Sequence, residues 1–375
     1  MESLSQAPRP VVGRGLSFAL VGLLVGALAL LGCQAAPAST PPATATPRPT
    51  ATPQPTATLG PTDTPAPQPT ETPAPASPSP AAAWPRTLVD DEGTSLELAE
   101  PPQRVISLSP ANTEIVFALG AGERLVGGTD FDDYPPGAAA LPDVATFTGV
   151  LHEAVAGLEP DLVLAAGNSF TPADDIEYMR DFGIDVLVVY AETVGEVLAD
   201  IELIGRALGE DDAAEQLVAE MEGRIAEVES ATAAIGERPR VFYQIGSEPE
   251  IYAPAPNSFI ADMVSLAGGE PITTGDPQVF SISVEQLVAQ DPQVIVLGDA
   301  AYGVCPDTVA QRPGWSSMTA VREGAIRPVW DTIVTRPGPR LAEGLAALAQ
   351  AIHPQAAITP PADLPALCAE GRASR

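Results

Sequence analysis

Lysine is absent from the 375 residues, so all 18 basic side chains are arginines. That excludes a Walker-type phosphate loop and any Schiff-base lysine. Histidine occurs only as His152 and His353, too few for a histidine-rich metal cage. No Gly-x-Ser-x-Gly, His-Glu-x-x-His or Cys-x-x-Cys pattern occurs, so no catalytic constellation stands out and no enzyme is expected. Positive charge is scarce: the formal net charge of −31 argues against nucleic acid and against adhesion to anionic lipid, both of which need basic surface. A membrane-spanning run is missing too. The apolar stretch from Leu16 to Leu31 has 16 residues, short of the roughly 20 needed to cross a bilayer.

That stretch follows Arg9 and Arg14 and ends in Leu30-Leu31-Gly32-Cys33. A positive flank, a short apolar core and a small residue before cysteine make a secretory signal of the lipoprotein kind. Residues 1–33 are thus expected to end at a lipidated Cys33, placing the protein outside the cytoplasm on the outer face of the cell membrane. Residues 34–83 are almost wholly Pro, Thr, Ala, Ser and Gln. Such a composition cannot bury enough apolar surface to offset ordering entropy and is expected to form a disordered, polyproline-like linker. At up to about 3.1 Å per residue its contour approaches roughly 150 Å. Export leaves open a disulfide between Cys305 and Cys368.

From Trp84 onward the chain is organised around one helix, expected from Asp212 to Ile235 within residues 210–237. Val218, Met221, Ile225, Val228 and Ile235 make a stripe down one face, Asp211 and Asp212 favour its start, and Gly236 and Pro239 end it. On either side the same pattern recurs. Arg104 to Leu108 reads as a strand followed by a helix capped at Asn112, and Val241 to Ile245 as a strand followed by a helix near Asn257. Glu153 and Glu285 each stand seven residues before a proline, Pro160 and Pro292, and then a buried strand. Further strands are expected at Leu125 to Gly128, Val144 to Phe147, Asp161 to Ala165, Asp185 to Tyr190, Val294 to Leu297 and Ala325 to Val329. Helices alternate with them, at Asp174 to Phe182, Val194 to Leu208, near Ser283 and from Gly338. An opening hairpin precedes them between Trp84 and Glu100. Alternation of strand and helix implies an α/β fold: two lobes with mostly parallel sheets flanked by helices, joined by one long rigid helix. The lobes would be residues 84–209 and 238–357, with a loosely held tail at 358–375.

Ligands of open α/β sheets sit beyond the carboxyl ends of the strands. The loops expected there are aromatic in a chain with few aromatics: Phe131, Tyr134, Phe147, Phe170, Tyr190, Tyr243, Phe280 and Trp330, with Asn168 beside Phe170. Aromatic walls suit a large, flat or greasy ligand. Arg336 and Arg340 open the last helix and could bind a carboxylate or phosphate. Glu153 and Glu285 are matched acids at helix starts and suit a two-pronged dock onto arginines.

The run Pro102-Gln103-Arg104-Val105-Ile106-Ser107-Leu108-Ser109-Pro110-Ala111-Asn112-Thr113-Glu114, with Asp133-Tyr134-Pro135, the stretch Glu153 to Leu164 and the segment Arg336 to Arg340, resembles the substrate-binding proteins of ABC importers for cobalamin, haem and ferric siderophores. The pattern is nearest to the cobalamin-binding members. It departs from them where tryptophans hold the corrin: Phe147, Ala166 and the pair Val279-Phe280 stand there. The resemblance implies two lobes with limited closure around a rigid helix. It implies a cobalamin-type ligand, with ferric siderophore or haem as alternatives, and no resident cofactor or metal. It also implies docking of Glu153 and Glu285 onto a permease that works with an ATPase, by a monomer. An exported enzyme, or a sensory or adhesion module on the linker, remains the reading of a different class.

Overall fold

The computed structural model describes residues 84–167, 171–362 and 364–368. It opens with an antiparallel hairpin, β1 (Arg86–Val89) and β2 (Ser95–Leu98). The first lobe follows as β3 (Val105–Ser107), α1 (Pro110–Ala118), β4 (Leu125–Thr129), β5 (Asp143–Thr146), β6 (Gly149–Val150), α2 (His152–Gly157), β7 (Leu162–Ala165), α3 (Ala173–Asp181), β8 (Val186–Val188) and α4 (Val194–Leu208). Its sheet runs in the order β6-β5-β4-β3-β7-β8 and is parallel except for the β5–β6 pair. The central strands β3 and β7 are buried throughout, as expected where helices cover both faces.

After α5 (Asp211–Ala233) the second lobe is built from β9 (Arg240–Gln244), α6 (Phe259–Leu266), β10 (Glu270–Pro271), α7 (Val284–Gln290), β11 (Val294–Leu297), α8 (Pro306–Ala310), α9 (Thr319–Arg322), β12 (Ile326–Pro328), α10 (Asp331–Thr335) and α11 (Leu341–Ile352). Its all-parallel sheet has the order β10-β9-β11-β12. The α/β class with parallel-rich sheets is therefore observed.

The α5 helix lies against α4 of one lobe and α11 of the other. Its buried stripe is Ala214, Val218, Met221, Ile225, Val228 and Thr232. Each large side chain in it contributes about 1.5–3 kcal/mol by leaving water. The helix stops at Ala233, so Ile235 falls outside it; the chain turns at Gly236, whose φ of +74° a glycine adopts without a Cβ clash. One apolar cluster continues from Val105, Ile115 and Leu162 through Met221 and Ile225 to Val241, Met263 and Leu345, so the two lobes share a core. Each lobe also has a smaller core of its own, around Ile106 and Val163 in the first and around Phe242 and Trp315 in the second.

Three local expectations are corrected. Helix α1 begins at Pro110 with Ser109 as its N-cap, so Asn112 is a buried helical residue and not a cap; proline at the first helical position loses no hydrogen bond there. The last helix, expected from Gly338, is α11 from Leu341, and the unexpected short helix α10 before it packs so closely that a Cβ on Gly344 would strike the Ile333 carbonyl. The tail is held, at least to Cys368: that residue is disulfide-bonded to Cys305, and Leu367 packs on the second lobe's own core.

Candidate functional site

The carboxyl ends of the first lobe's strands open on a cavity of about 800 Å3. Its near wall comes from the β3–α1 corner (Ser109 to Asn112), Ala166 after β7, Val189 to Glu192 after β8, and Asp200 on α4. Its far wall comes from the second lobe: Ala255 to Ile260 leading into α6, then Pro277 and Phe280, and Thr335 to Pro337 between α10 and α11. Such a volume lies toward the upper end of small-molecule sites.

The opening hairpin reaches this wall. Asp90 ties the turn, accepting from the Glu92 and Thr94 amides at 3.1 and 2.7 Å, while Arg180 of α3 pairs with its other oxygen at 2.9 Å. The turn is thereby pressed on β8, where the Asp91 amide donates to Val188 O at 3.2 Å. Asp91 in turn accepts from the Tyr190 amide at 2.5 Å and meets the carboxyl of Asp200. Asp200 is only 7 % exposed. Burial, and then the charge and hydrogen bond of Asp91, push its carboxyl up to about 8. At neutral pH the Asp200 carboxyl therefore keeps its proton.

Opposite, Arg336 and Arg340 do not present free charge. Arg340 grips Glu114 of α1 with Nε and Nη2 at 2.8 and 2.6 Å, and its guanidinium lies 4.0 Å from the centre of the Tyr134 ring. Arg336 donates to Glu114 at 2.9 Å and to Asp133 at 2.6 Å. Burial alone would lower the Arg336 pKa, but its bonds to Asp133 and Glu114 hold it above the usual value. The Glu114 side chain is 2 % exposed, so this bidentate pair is a buried clamp between the lobes. The expectation that these arginines receive a ligand's carboxylate or phosphate is corrected: Arg336 touches the cavity but its charge is spent. A second link crosses nearby, where Asp262 of α6 accepts from the Val194 amide at the start of α4 at 2.9 Å.

Of the aromatic residues singled out from sequence, Tyr190 and Phe280 line the cavity. Phe131, Tyr134 and Phe147 are exposed outside its lining, Phe147 at 90 %. Trp330 is half-buried against the shared core. Tyr243 is corrected to a core residue: it is 0 % exposed in β9, and burial pushes its phenol well above the usual value. A strand covered on both faces encloses every side chain along it. Asn168 and Phe170 lie outside the described residues, as does Cys33. Unforeseen were Asp91, Glu192 and Asp200, and the wall-lining role of Asn112. Asn112 is 4 % exposed, and its Nδ2 has no partner among the described residues.

Glu153 and Glu285 occupy matching places, each the second residue of its short helix, α2 and α7, and both are exposed. Among the described residues no helix is long and apolar enough to cross a membrane.

With this geometry, the sequence matches the family model described as periplasmic binding protein over residues 105–328. The chain belongs to that family of ABC-importer substrate-binding proteins, which are not enzymes. It is 34 % identical to the uncharacterised ABC transporter substrate-binding lipoprotein YvrC of Bacillus subtilis, covering 72 % of this chain and 86 % of that one. It is 33 % identical to the cobalamin-binding protein of Halobacterium salinarum, over 73 % of this chain and 75 % of that one. Among solved structures it is similar to the periplasmic haem-binding protein RhuT of Roseiflexus sp. RS-1, at 25 % identity and a TM-score of 0.58, covering 67 % of this chain and 98 % of that one.

Proposed function

We propose that this protein captures a cobalamin-type or iron-chelate ligand in the interlobe cavity and delivers it, as a monomer, to an ABC permease driven by its ATPase. A lipid on Cys33 would hold it to the outer face of the cell membrane. The observation that carries the reading is the roughly 800 Å3 cavity walled by both lobes at the carboxyl ends of the sheet. The matched, exposed glutamates supply the delivery step. Each would pair with a permease arginine in a charge-assisted bond worth about 1.5–3 kcal/mol.

Cells carrying Glu153→Arg together with Glu285→Arg test the docking. Uptake of labelled ligand should fall at least tenfold while ligand affinity of the purified double variant stays unchanged, since neither residue lines the cavity. Normal uptake would remove the docking role. Fatty-acid labelling tests the anchor: the label should be lost in Cys33→Ala, and a variant that still incorporates it has its lipid elsewhere or none at this cysteine.

A further inference from the structure

The cavity carries no available positive charge on its described walls. Arg336 is the cation that lines it, and its guanidinium is held by Glu114 and Asp133, while Arg340 behind it is held by Glu114. Facing them are the exposed carboxylate of Glu192 and the Asp200 carboxyl bonded to Asp91. Glu196 lies one turn of α4 away, its oxygen occupied by the Glu192 and Thr193 amides at 2.7 and 3.0 Å. The whole chain adds a field of net charge −31, which slows the approach of polyanions and speeds that of cations. A second observation points to the kind of partner. The Asn112 amide lies in the wall, 96 % buried by its 4 % exposure, and Nδ2 has no hydrogen-bond partner among the described residues. A buried amide left unmatched loses affinity for any ligand that cannot bond to it.

We propose that the cavity selects metal chelates that are neutral or cationic and carry carboxamide or hydroxyl groups on their rim, and rejects those presenting carboxylates or catecholates. The inference rests on the interlobe cavity being the ligand site. A rim amide could accept from the Asn112 Nδ2 through its carbonyl and donate through its N–H to the carboxyl oxygens of Glu192 and Asp200. A ligand carboxylate within about 8 Å of Glu192 would have no counter-cation, a loss on the order of tenfold or more per charge at an effective dielectric near 20.

The test is calorimetric titration of the full-length chain in detergent with five probes: cyanocobalamin, cobinamide, ferrioxamine B, haemin and a ferric tris-catecholate. At least one of the first three should bind about a hundredfold or more tighter than either of the last two. Glu192→Arg, an exposed position that folding tolerates, should raise affinity for haemin or the tris-catecholate about tenfold and lower that for the cationic probes by a similar factor. Asn112→Leu should weaken the preferred amide-rimmed probe about tenfold at an unchanged far-UV spectrum. Haemin or the tris-catecholate binding as tightly as the other probes would overturn the inference and leave the cavity reading standing, as would a Glu192→Arg variant whose affinity for haemin and the tris-catecholate stays at the wild-type value. If no probe binds, the cavity reading falls and the inference falls with it.

Discussion

Asp200 shows how burial and a like-charged neighbour set one residue's chemistry. Its carboxyl is raised from 3.8 to about 8, first by burial and then by Asp91. The folded state therefore keeps a proton that the unfolded chain surrenders near 4. Stability from this group is complete below pH 4 and is lost as the pH climbs toward about 8, where the folded form also ionises. The full loss is on the order of a few kcal/mol. Asp200→Asn keeps the shape and can still donate to Asp91, but it no longer titrates. Thermal unfolding midpoints at pH 5, 7 and 9 should thus fall more steeply for the wild type than for the variant, with the variant the more stable at pH 9. Parallel curves would show that Asp200 ionises in the folded protein as it does in water. The arginines teach the reverse lesson: charge at a helix start reads as ligand-binding in the sequence, yet Glu114 claims both in space.

At the scale of elements, most of the architecture was legible because local patterns and tertiary burial agree. Strand β11 and helix α4 fall on the residues expected from the sequence, and most of the remaining strands lie within two residues. For α4 the reason is visible: the Thr193–Glu196 capping box at its start and Gly209 at φ +78° after its end agree with its apolar stripe. Short elements were less legible. The five-residue α10 has no capping side chain and forms because α11 packs on it. The site was legible in outline only. Tyr190 and Phe280 follow strand ends or loops and were found by that rule, whereas Tyr243 stands inside β9, where period-two alternation fails because both faces are covered. Asp200 carries no local signal in the sequence of α4 that would set it apart. Its place in the wall depends on the hairpin turn carrying Asp91 across the end of β8, a contact between distant segments that no local pattern encodes.

The two lobes are joined by three different devices. A continuous apolar cluster passes through α5 into both lobes, Asp262 of the second lobe caps α4 of the first, and Glu114 clamps Arg336 and Arg340. The same coupling makes unfolding cooperative. Trp84 packs on the shared core from the first lobe and Trp315 sits in the second lobe's own core. Variants retaining one or the other as the only tryptophan should report the same urea midpoint. Glu114→Ala tests the clamp within that frame. Deleting one partner of a buried pair costs roughly 3–5 kcal/mol, and because Arg336 retains Asp133 the value should fall at the low end, about 3 kcal/mol. Both reporters should shift together, since the apolar cluster still joins the lobes. If Trp84 and Trp315 instead report separate midpoints in the wild type, the lobes fold independently and the shared core does not bind them. If they separate only in Glu114→Ala, the coupling resides in the ion cluster and not in the apolar core.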